Sequence, residues 1–179
     1  MFETDRLRLR AICKPDFEKV HALWNIQDVR KMLSVGYVVP SVGFKADQDP
    51  TTVPGHDYLL YAVIETKVEA EFVGVTMLFD TVQKTRDSKI GIALLPEFWG
   101  QGFGTETMRF VVDYAFRELA LHRVTLSVNG NNTAAIKIYK KIGFVQEGVQ
   151  RKANWINGKW QDIIWMAILD EEWEESNPE

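Results

Sequence analysis

Residues 99–106 read WGQGFGTE and join an apolar stretch, KIGIALL at 89–95, to a long amphipathic one. Glycines stand at alternate positions, Gly100, Gly102 and Gly104. A helix N-terminus leaves several N–H groups without partners and carries a partial positive charge. Because glycine has no Cβ, an anionic group can approach such N–H groups closely. The stretch therefore predicts either a phosphate cradle or a tight strand-to-helix connection that needs glycine for packing alone.

Two common nucleotide-binding motifs do not fit this loop. A dinucleotide-binding fingerprint needs G-x-G-x-x-G, but the third glycine comes one residue early, at Gly104, and Thr105 follows it. A P-loop needs Gly-Lys-Ser or Gly-Lys-Thr, and neither triplet occurs in the sequence. We therefore expect a phosphate-bearing ligand other than NAD or a hydrolysed ATP.

Composition and charge indicate one globular domain. The chain has 179 residues, of which 46% are hydrophobic and 26% charged. The net charge of −4 is unevenly placed, because residues 170–179 hold six of the 25 acidic residues and no basic one. We expect this acidic tail to be solvated and frayed, with the domain at 1–170 and the tail at 171–179. The nearly neutral remainder gives no argument for a nucleic-acid partner.

Several classes of protein are not expected. No apolar run approaches the roughly 18 residues that a membrane span requires, and the N-terminus carries no apolar signal segment. Cys13 is the only cysteine, which excludes an internal disulfide and fits a reducing compartment. The three histidines are too scattered for a metal site. We expect a cytoplasmic protein without a metal, a membrane or a nucleic-acid partner.

Hydrophobic periodicity predicts a mixed α/β sheet. The predicted strands cover 4–12, 58–65, 71–79, 89–95, 123–128, 144–149 and 160–169. One predicted helix begins at residue 15, and three more cover 27–33, 105–119 and 131–142. Asn157-Gly158 predicts a tight turn between the last two strands. Residues 36–57 show no period and hold three of the six prolines. This segment is either a substrate-covering loop or a plain surface insertion.

A second motif, NTAAIKIYKKIGF at 132–144, changes the interpretation of the glycine loop. With the loop, it resembles the GCN5-related N-acetyltransferase superfamily. The opening TDRLRLR at 4–10 and the closing stretch from Glu147 to Asp162 resemble the RimJ/RimL-like branch of that superfamily. The resemblance covers most of the chain and is weakest over 36–57. The superfamily signature has Gln or Arg where this chain has Trp99.

The resemblance implies a single domain with a mostly antiparallel sheet whose fourth and fifth strands splay apart, with acetyl-CoA in the opening. It implies that the pantetheine arm runs beside Ile92, Ala93 and Leu94. It implies a pyrophosphate cradle formed by Trp99, Gly100, Gln101, Gly102, Phe103, Gly104 and Thr105. Asn132 would contact the cofactor. As an alternative that is compatible with this role, Asn132 is the N-cap of the following helix, a position that Asn131 could also fill.

Catalysis in the superfamily is direct attack of a neutral amine on the thioester, without an acyl-enzyme. The departing thiolate then needs a proton, and the Tyr139 phenol holds one at neutral pH. The alternative is that Tyr139 is a core residue on the apolar face of its helix. The general base stays open. Many relatives have a glutamate where this chain has Ser88 and Lys89, which leaves Glu97, a water chain or an acceptor that arrives neutral.

The resulting hypothesis is an acetyl-CoA-dependent N-acetyltransferase, a monomer or homodimer, that acts on a primary amine. We favour a protein or peptide N-terminus as the acceptor. The alternatives are a small amine (a polyamine, an amino acid or an aminoglycoside) and, because no base is evident, a module that binds acetyl-CoA without catalysis.

Overall fold

The computed structural model describes residues 1–33, 49–52 and 56–177 of the chain. Its strands are β1 Phe2–Glu3, β2 Leu7–Ala11, β3 Tyr58–Thr66, β4 Phe72–Val82, β5 Asp87–Leu94, β6 Arg123–Asn129, β7 Val145–Ile156 and β8 Lys159–Leu169. Its α-helices are α1 Phe17–Asn25, α2 Gln27–Leu33, α3 Phe103–Arg117, α4 Thr133–Ile142 and α5 Asp170–Ser176. Short 3₁₀ turns lie at Lys14–Asp16, Pro50–Thr52 and Pro96–Phe98.

The strands form one sheet in the order β1-β2-β3-β4-β5-β6-β8-β7. Neighbouring strands are antiparallel except β5 and β6, which are parallel. The β5–β6 ladder is short: it joins Asp87, Ser88 and Lys89 to residues 123–125 and then stops. Both strands continue past this point, so they part into an opening. The predicted single mixed α/β domain with two splayed central strands is confirmed.

Both faces of the sheet carry a hydrophobic core. On one face, Leu9 and Ile64 of the sheet pack in a cluster with Met108 of α3. On the other face, Val63 packs in a cluster with Leu23 of α1. Since successive strand residues point to opposite faces, the adjacent residues 63 and 64 belong to different cores. The opening between β5 and β6 therefore has an α3–α4 side and an α1–α2 side.

The acidic C-terminus differs from the prediction. Residues Asp170–Ser176 form α5, and Trp173 on this helix is only 3% exposed. The Trp173 Nε1–H donates to Asp113 Oδ1 at 3.0 Å, and the Leu169 N–H donates to Glu172 Oε2 at 2.9 Å. The expectation of a solvated, frayed tail is thus wrong over α5. Burial of one large aromatic side chain anchors a segment that its charge alone would leave in solvent.

Two other differences concern boundaries. Helix α3 begins at Phe103 rather than at 105, so part of the glycine loop is its first turn. Strand β7 extends to Ile156 rather than ending at 149, because its pairing with β8 resumes after a register shift between Gln150 and Asn154. The segment 36–57, predicted to be either a substrate-covering loop or a surface insertion, lies mostly outside the described residues, which include only 49–52, 56 and 57 of it.

Candidate active site

The glycine loop presents unpaired backbone donors at the start of α3. Gly100 and Gly102 have φ angles of 74° and 84°, in the left-handed region that favours glycine, and Gly102 is the N-cap of α3. Within the described part of the chain, no group accepts a hydrogen bond from the N–H groups of Gly102, Phe103, Gly104 or Thr105. A ligand phosphate would supply the missing acceptors, so the loop fits a pyrophosphate.

The Trp99 and Gln101 side chains of the loop bind backbone carbonyls of the residues that precede it. The Trp99 Nε1–H donates to the Leu94 carbonyl at 2.9 Å, and the Gln101 amide donates to the Glu97 carbonyl at 2.7 Å. Trp99, where the superfamily signature has Gln or Arg, therefore ties the loop to the end of β5. These contacts leave the peptide N–H groups, rather than the side chains, as the groups that can bind an anion.

Two charged residues that the sequence analysis did not assign complete the loop. The Arg6 Nε–H donates to Glu106 Oε2 at 2.8 Å, and Arg6 Nη1 donates to the Gln101 carbonyl at 3.0 Å. The Arg6 guanidinium carbon also lies 4.6 Å from the centre of the Phe103 ring. The Thr4 hydroxyl donates to Glu106 Oε1 at 2.6 Å. Arg6 belongs to the opening motif noted above, but the motif itself names no partner 100 residues away.

The end of β5 offers a free strand edge toward the opening. Ile92 and Leu94 pack against the core on the α3–α4 side, whereas Ala93 is 2% exposed within the core under α1 and α2. The ladder to β6 has already ended at Lys89, so no described strand pairs with residues 92–94 on the edge opposite β4, although the Leu94 carbonyl accepts from Trp99. The geometry fits an extended chain with amide groups, which could add to this edge.

Helix α4 carries the two remaining predicted residues. The Asn132 side chain accepts a hydrogen bond from the Ala135 N–H at 3.2 Å, so Asn132 is the N-cap. Tyr139 lies on the inner side of α4, with its ring centre 5.9 Å from that of Phe144. Burial raises the pKa of Tyr139 to about 12. Because of this raised pKa, the phenol is protonated at neutral pH. No hydrogen bond links its hydroxyl to another residue within 1–33, 49–52 and 56–177, so the hydroxyl is free to donate.

The face of the opening toward α1 and α2 contains a buried amide pair that the sequence analysis missed. Asn129 Nδ2 donates to the carbonyls of Lys31 and Met32 at 3.2 and 3.1 Å, at the end of α2. Asn154 Nδ2 donates to Asn129 Oδ1 at 2.8 Å. These bonds connect β6, β7 and α2. No local pattern signals them, since asparagine is equally common in turns.

The general base is not evident from the geometry. Ser88 is 1% exposed and hydrogen-bonds the Thr81 hydroxyl at 2.9 Å, and Lys89 pairs with Asp80 at 3.0 Å. Glu97 is exposed and only its backbone carbonyl is engaged by the loop. Among the described residues, no cluster of three possible ligands could hold a metal ion, and no helix is long and apolar enough to cross a membrane.

Comparisons with known proteins agree with this geometry. Residues 6–145 match the family model for the acetyltransferase (GNAT) domain. The chain is 28% identical over 164 residues to the spermidine N(1)-acetyltransferase of Vibrio cholerae, covering 92% of this chain and 93% of that protein. It is 32% identical over 106 residues, 59% of this chain and 58% of the relative, to a Bacillus subtilis protein named "Putative ribosomal N-acetyltransferase YdaF".

A solved structure gives the same result in three dimensions. The crystal structure of spermidine N-acetyltransferase from Vibrio cholerae in complex with CoA and spermine superposes with a TM-score of 0.82 at 26% identity. The superposition covers 95% of this chain and 99% of that one. Both the α3–α4 side and the α1–α2 side of the opening therefore have counterparts in a protein that binds CoA and an amine.

Proposed function

We propose, on the premise that this chain belongs to the acetyltransferase (GNAT) domain family, that it transfers acetyl from acetyl-CoA to a small primary amine. The family and its relatives make the chain an acetyl-CoA-dependent N-acetyltransferase. One observation supports the small amine: the likeness to a spermidine N-acetyltransferase extends over 95% of this chain, including the face opposite the cradle. Polyamines are therefore the first acceptors to test.

The proposed division of labour follows from the geometry. The N–H groups of the glycine loop, from Gly102 to Thr105, would hold the pyrophosphate, and the free edge at residues 92–94 would bind the pantetheine arm. Acetyl-CoA supplies the activated acyl group as a thioester. The Tyr139 hydroxyl would donate its proton to the sulfur as the thiolate departs, since its raised pKa keeps it protonated. Asn132 caps α4 and would contact the cofactor at the N-terminus of this helix.

The amine would enter from the α1–α2 side, where the cross-strand pair Ser127 and Trp165 is exposed. The described residues near β5 supply no evident base, because Ser88 is buried and Lys89 is paired. We therefore propose that the acceptor loses its proton to water before attack. Such a mechanism makes the rate depend on the fraction of neutral amine.

An acceptor screen tests this proposal. Purified protein with acetyl-CoA is offered spermidine, spermine, putrescine, an aminoglycoside and peptides with free N-termini, and released CoA thiol is measured. Turnover with a polyamine and none with peptides supports the proposal, and the reverse pattern overturns it. Tyr139→Phe serves as the control for adventitious hydrolysis, since background release of CoA does not need the phenol.

A protein N-terminus is the second candidate. It is the acceptor that the sequence motifs of the RimJ/RimL-like branch favour, and the match to a relative named for the ribosome supports it. That match covers only 59% of this chain, so it carries less weight than the likeness to the spermidine enzymes. Acetylation of peptides, detected by a mass increase at the N-terminal residue, would favour this candidate.

A further inference from the structure

Glu106 places a carboxylate in the first turn of α3, beside the N–H groups of the cradle. Its own N–H donates to the Gly102 carbonyl at 3.0 Å, which fixes the residue one turn after the N-cap. An acidic side chain near a helix N-terminus stabilises the helix. The same charge, however, repels a pyrophosphate that binds to that terminus. The cradle therefore contains a charge that opposes its ligand unless another group compensates it.

Arg6 and Thr4 donate to both oxygens of this carboxylate. Oε1 accepts from the Thr4 hydroxyl at 2.6 Å and from the Arg6 N–H at 2.8 Å. Oε2 accepts from Arg6 Nε at 2.8 Å and lies 2.8 Å from Arg6 Nη2. The Glu106 side chain is 16% exposed, against 50% for Arg6. Burial acts to raise the pKa of Glu106, but the hydrogen bonds from Thr4 and Arg6 outweigh it and lower that pKa.

The same guanidinium also contacts the glycine loop at consecutive residues. Nη1 holds the Gln101 carbonyl at 3.0 Å, and the planar group lies over the Phe103 ring. Between these two residues, a Cβ on Gly102 would lie 3.2 Å from Arg6 Nη2. A carbonyl bound to arginine cannot turn toward an incoming phosphate. Arg6 therefore both offsets the acid and fixes the direction of the loop.

We propose that Arg6 is a positioning residue for acetyl-CoA, which compensates Glu106 and holds the Gln101 carbonyl away from the ligand so that the cradle N–H groups can accept a pyrophosphate. This inference rests on the proposed binding of acetyl-CoA at the glycine loop. The proposed role is indirect: the contribution of Arg6 to CoA affinity depends on the charge of Glu106. If Arg6 bound the phosphate directly, its contribution would not depend on that charge.

A double-mutant cycle measured by calorimetric titration with CoA tests the proposal. Arg6→Ala should weaken CoA binding about tenfold, because an uncompensated carboxylate then faces the phosphates. In the Glu106→Gln background, the same change should cost less than about threefold, since little charge is left to compensate. Equal losses in the two backgrounds overturn the compensation of Glu106 by Arg6, because the effect of Arg6 would then not depend on the charge of that carboxylate. No loss in either background overturns any role of Arg6.

Arg8→Ala is the matched control. Arg8 lies two residues after Arg6, on β2, and pairs with Glu3 at 3.2 Å rather than with the loop, so its removal should leave CoA affinity unchanged. Arg6→Lys guards against a folding defect: it keeps the charge but loses the planar fork, and a loss of affinity at unchanged thermal stability supports positioning. At saturating acetyl-CoA, kcat should be nearly unaffected while KM for acetyl-CoA rises, and a fall in kcat alone contradicts the proposal.

The two failures are distinguishable. If the unmodified protein does not bind CoA, the proposed function fails and the cycle has no signal. If it binds CoA and Arg6→Ala binds equally well, only the positioning role fails.

Discussion

Lys89 and Thr125 form the last cross-strand pair between β5 and β6. At the start of both strands, Arg123 of β6 forms ion pairs with Asp87 of β5 and with Glu147 of β7. After Lys89 and Thr125, toward their C-terminal ends, the two strands separate. The closed end is thus held by backbone pairing and by ion pairs. The open end exposes the edge of β5 and the N-terminus of α4, which the proposed chemistry needs.

Tyr139→Phe should lower kcat by about a hundredfold or more and leave KM for acetyl-CoA nearly unchanged, because the phenol acts on the departing sulfur and not on binding. With a pKa of about 12, Tyr139 stays protonated over the usable pH range. The rate of the unmodified enzyme should therefore rise with pH as the amine loses its proton, with no falling limb below about pH 10. Steady-state kinetics at several pH values measures both effects, and equal turnover by the two proteins at every pH would exclude Tyr139 as the acid.

Gly102→Val should weaken CoA binding at least about tenfold, because a β-branched residue is strained at the positive φ of Gly102 and its Cβ would lie 3.2 Å from Arg6 Nη2. Trp99→Phe keeps an aromatic side chain but loses the Nε1–H bond to the Leu94 carbonyl, so we expect a much smaller effect. Titration with CoA compares the two. A larger loss from Trp99→Phe would show that the indole, and not the row of N–H groups, dominates binding.

Gly74→Ala should displace the end of β5 at residues 93–94, where we propose that the pantetheine arm binds. An added Cβ would lie 2.1 Å from the Ala93 carbonyl oxygen and 2.9 Å from Leu94 Cα. Because both contacts are with backbone, the strands must shift, and we expect a loss of about 2 kcal/mol in unfolding free energy together with weaker CoA binding. Gly148→Ala is the control, since its Cβ would meet nothing within 4 Å. Urea denaturation and CoA titration that show identical behaviour for the two variants would contradict this prediction.

Asp16→Asn should cost about 2 kcal/mol of stability, because it leaves Arg10 with less compensation in a site that is 1% exposed at Asp16. Burial acts to raise the pKa of Asp16, but hydrogen bonds from Arg10 and Cys13 outweigh it and hold that pKa well below its usual range. This stabilisation is complete above the unfolded pKa of about 4 and is lost as the pH falls through the folded pKa.

The difference between Asp16→Asn and the unmodified protein should therefore shrink in urea denaturation below about pH 4. Asp28→Asn is the control: its side chain is 69% exposed and only 4.0 Å from Lys31, so removal should change stability by less than about 0.5 kcal/mol. A difference for Asp16→Asn that stays constant down to pH 2 would argue against the ion pair as its source.

Trp173→Ala should destabilise the protein by about 3 kcal/mol, because it removes a large buried side chain and leaves a cavity under α5. Glu174→Ala, at an exposed position of the same helix, should have little effect. Thermal unfolding monitored by circular dichroism compares the two variants. Equal melting temperatures would contradict this prediction and favour the frayed tail that the acidic composition suggests.

Much of the fold and of the candidate site follows from local sequence. Alternating apolar residues predict β3 to β6, and the glycine loop predicts the N-terminus of α3, because these features depend on neighbours in the chain. The positions of Tyr139 and Asn132 on α4 follow from helical spacing. The end of β7 and the burial of Trp173 do not, since each depends on a partner element that is distant in sequence.

Residues 6–10 illustrate which features the local sequence predicts and which depend on the tertiary structure. By itself, the alternation of Arg6, Arg8 and Arg10 determines a strand with three arginines on one side, equivalent in every local respect. The fold gives each a different partner: Glu106 for Arg6, Glu3 for Arg8, and Asp16 with Glu65 for Arg10. The sequence also determines a loop that can receive a phosphate. Only the packing of β2 against α3 brings Arg6 to that loop, because charge pairing requires proximity that strand and helix packing alone creates.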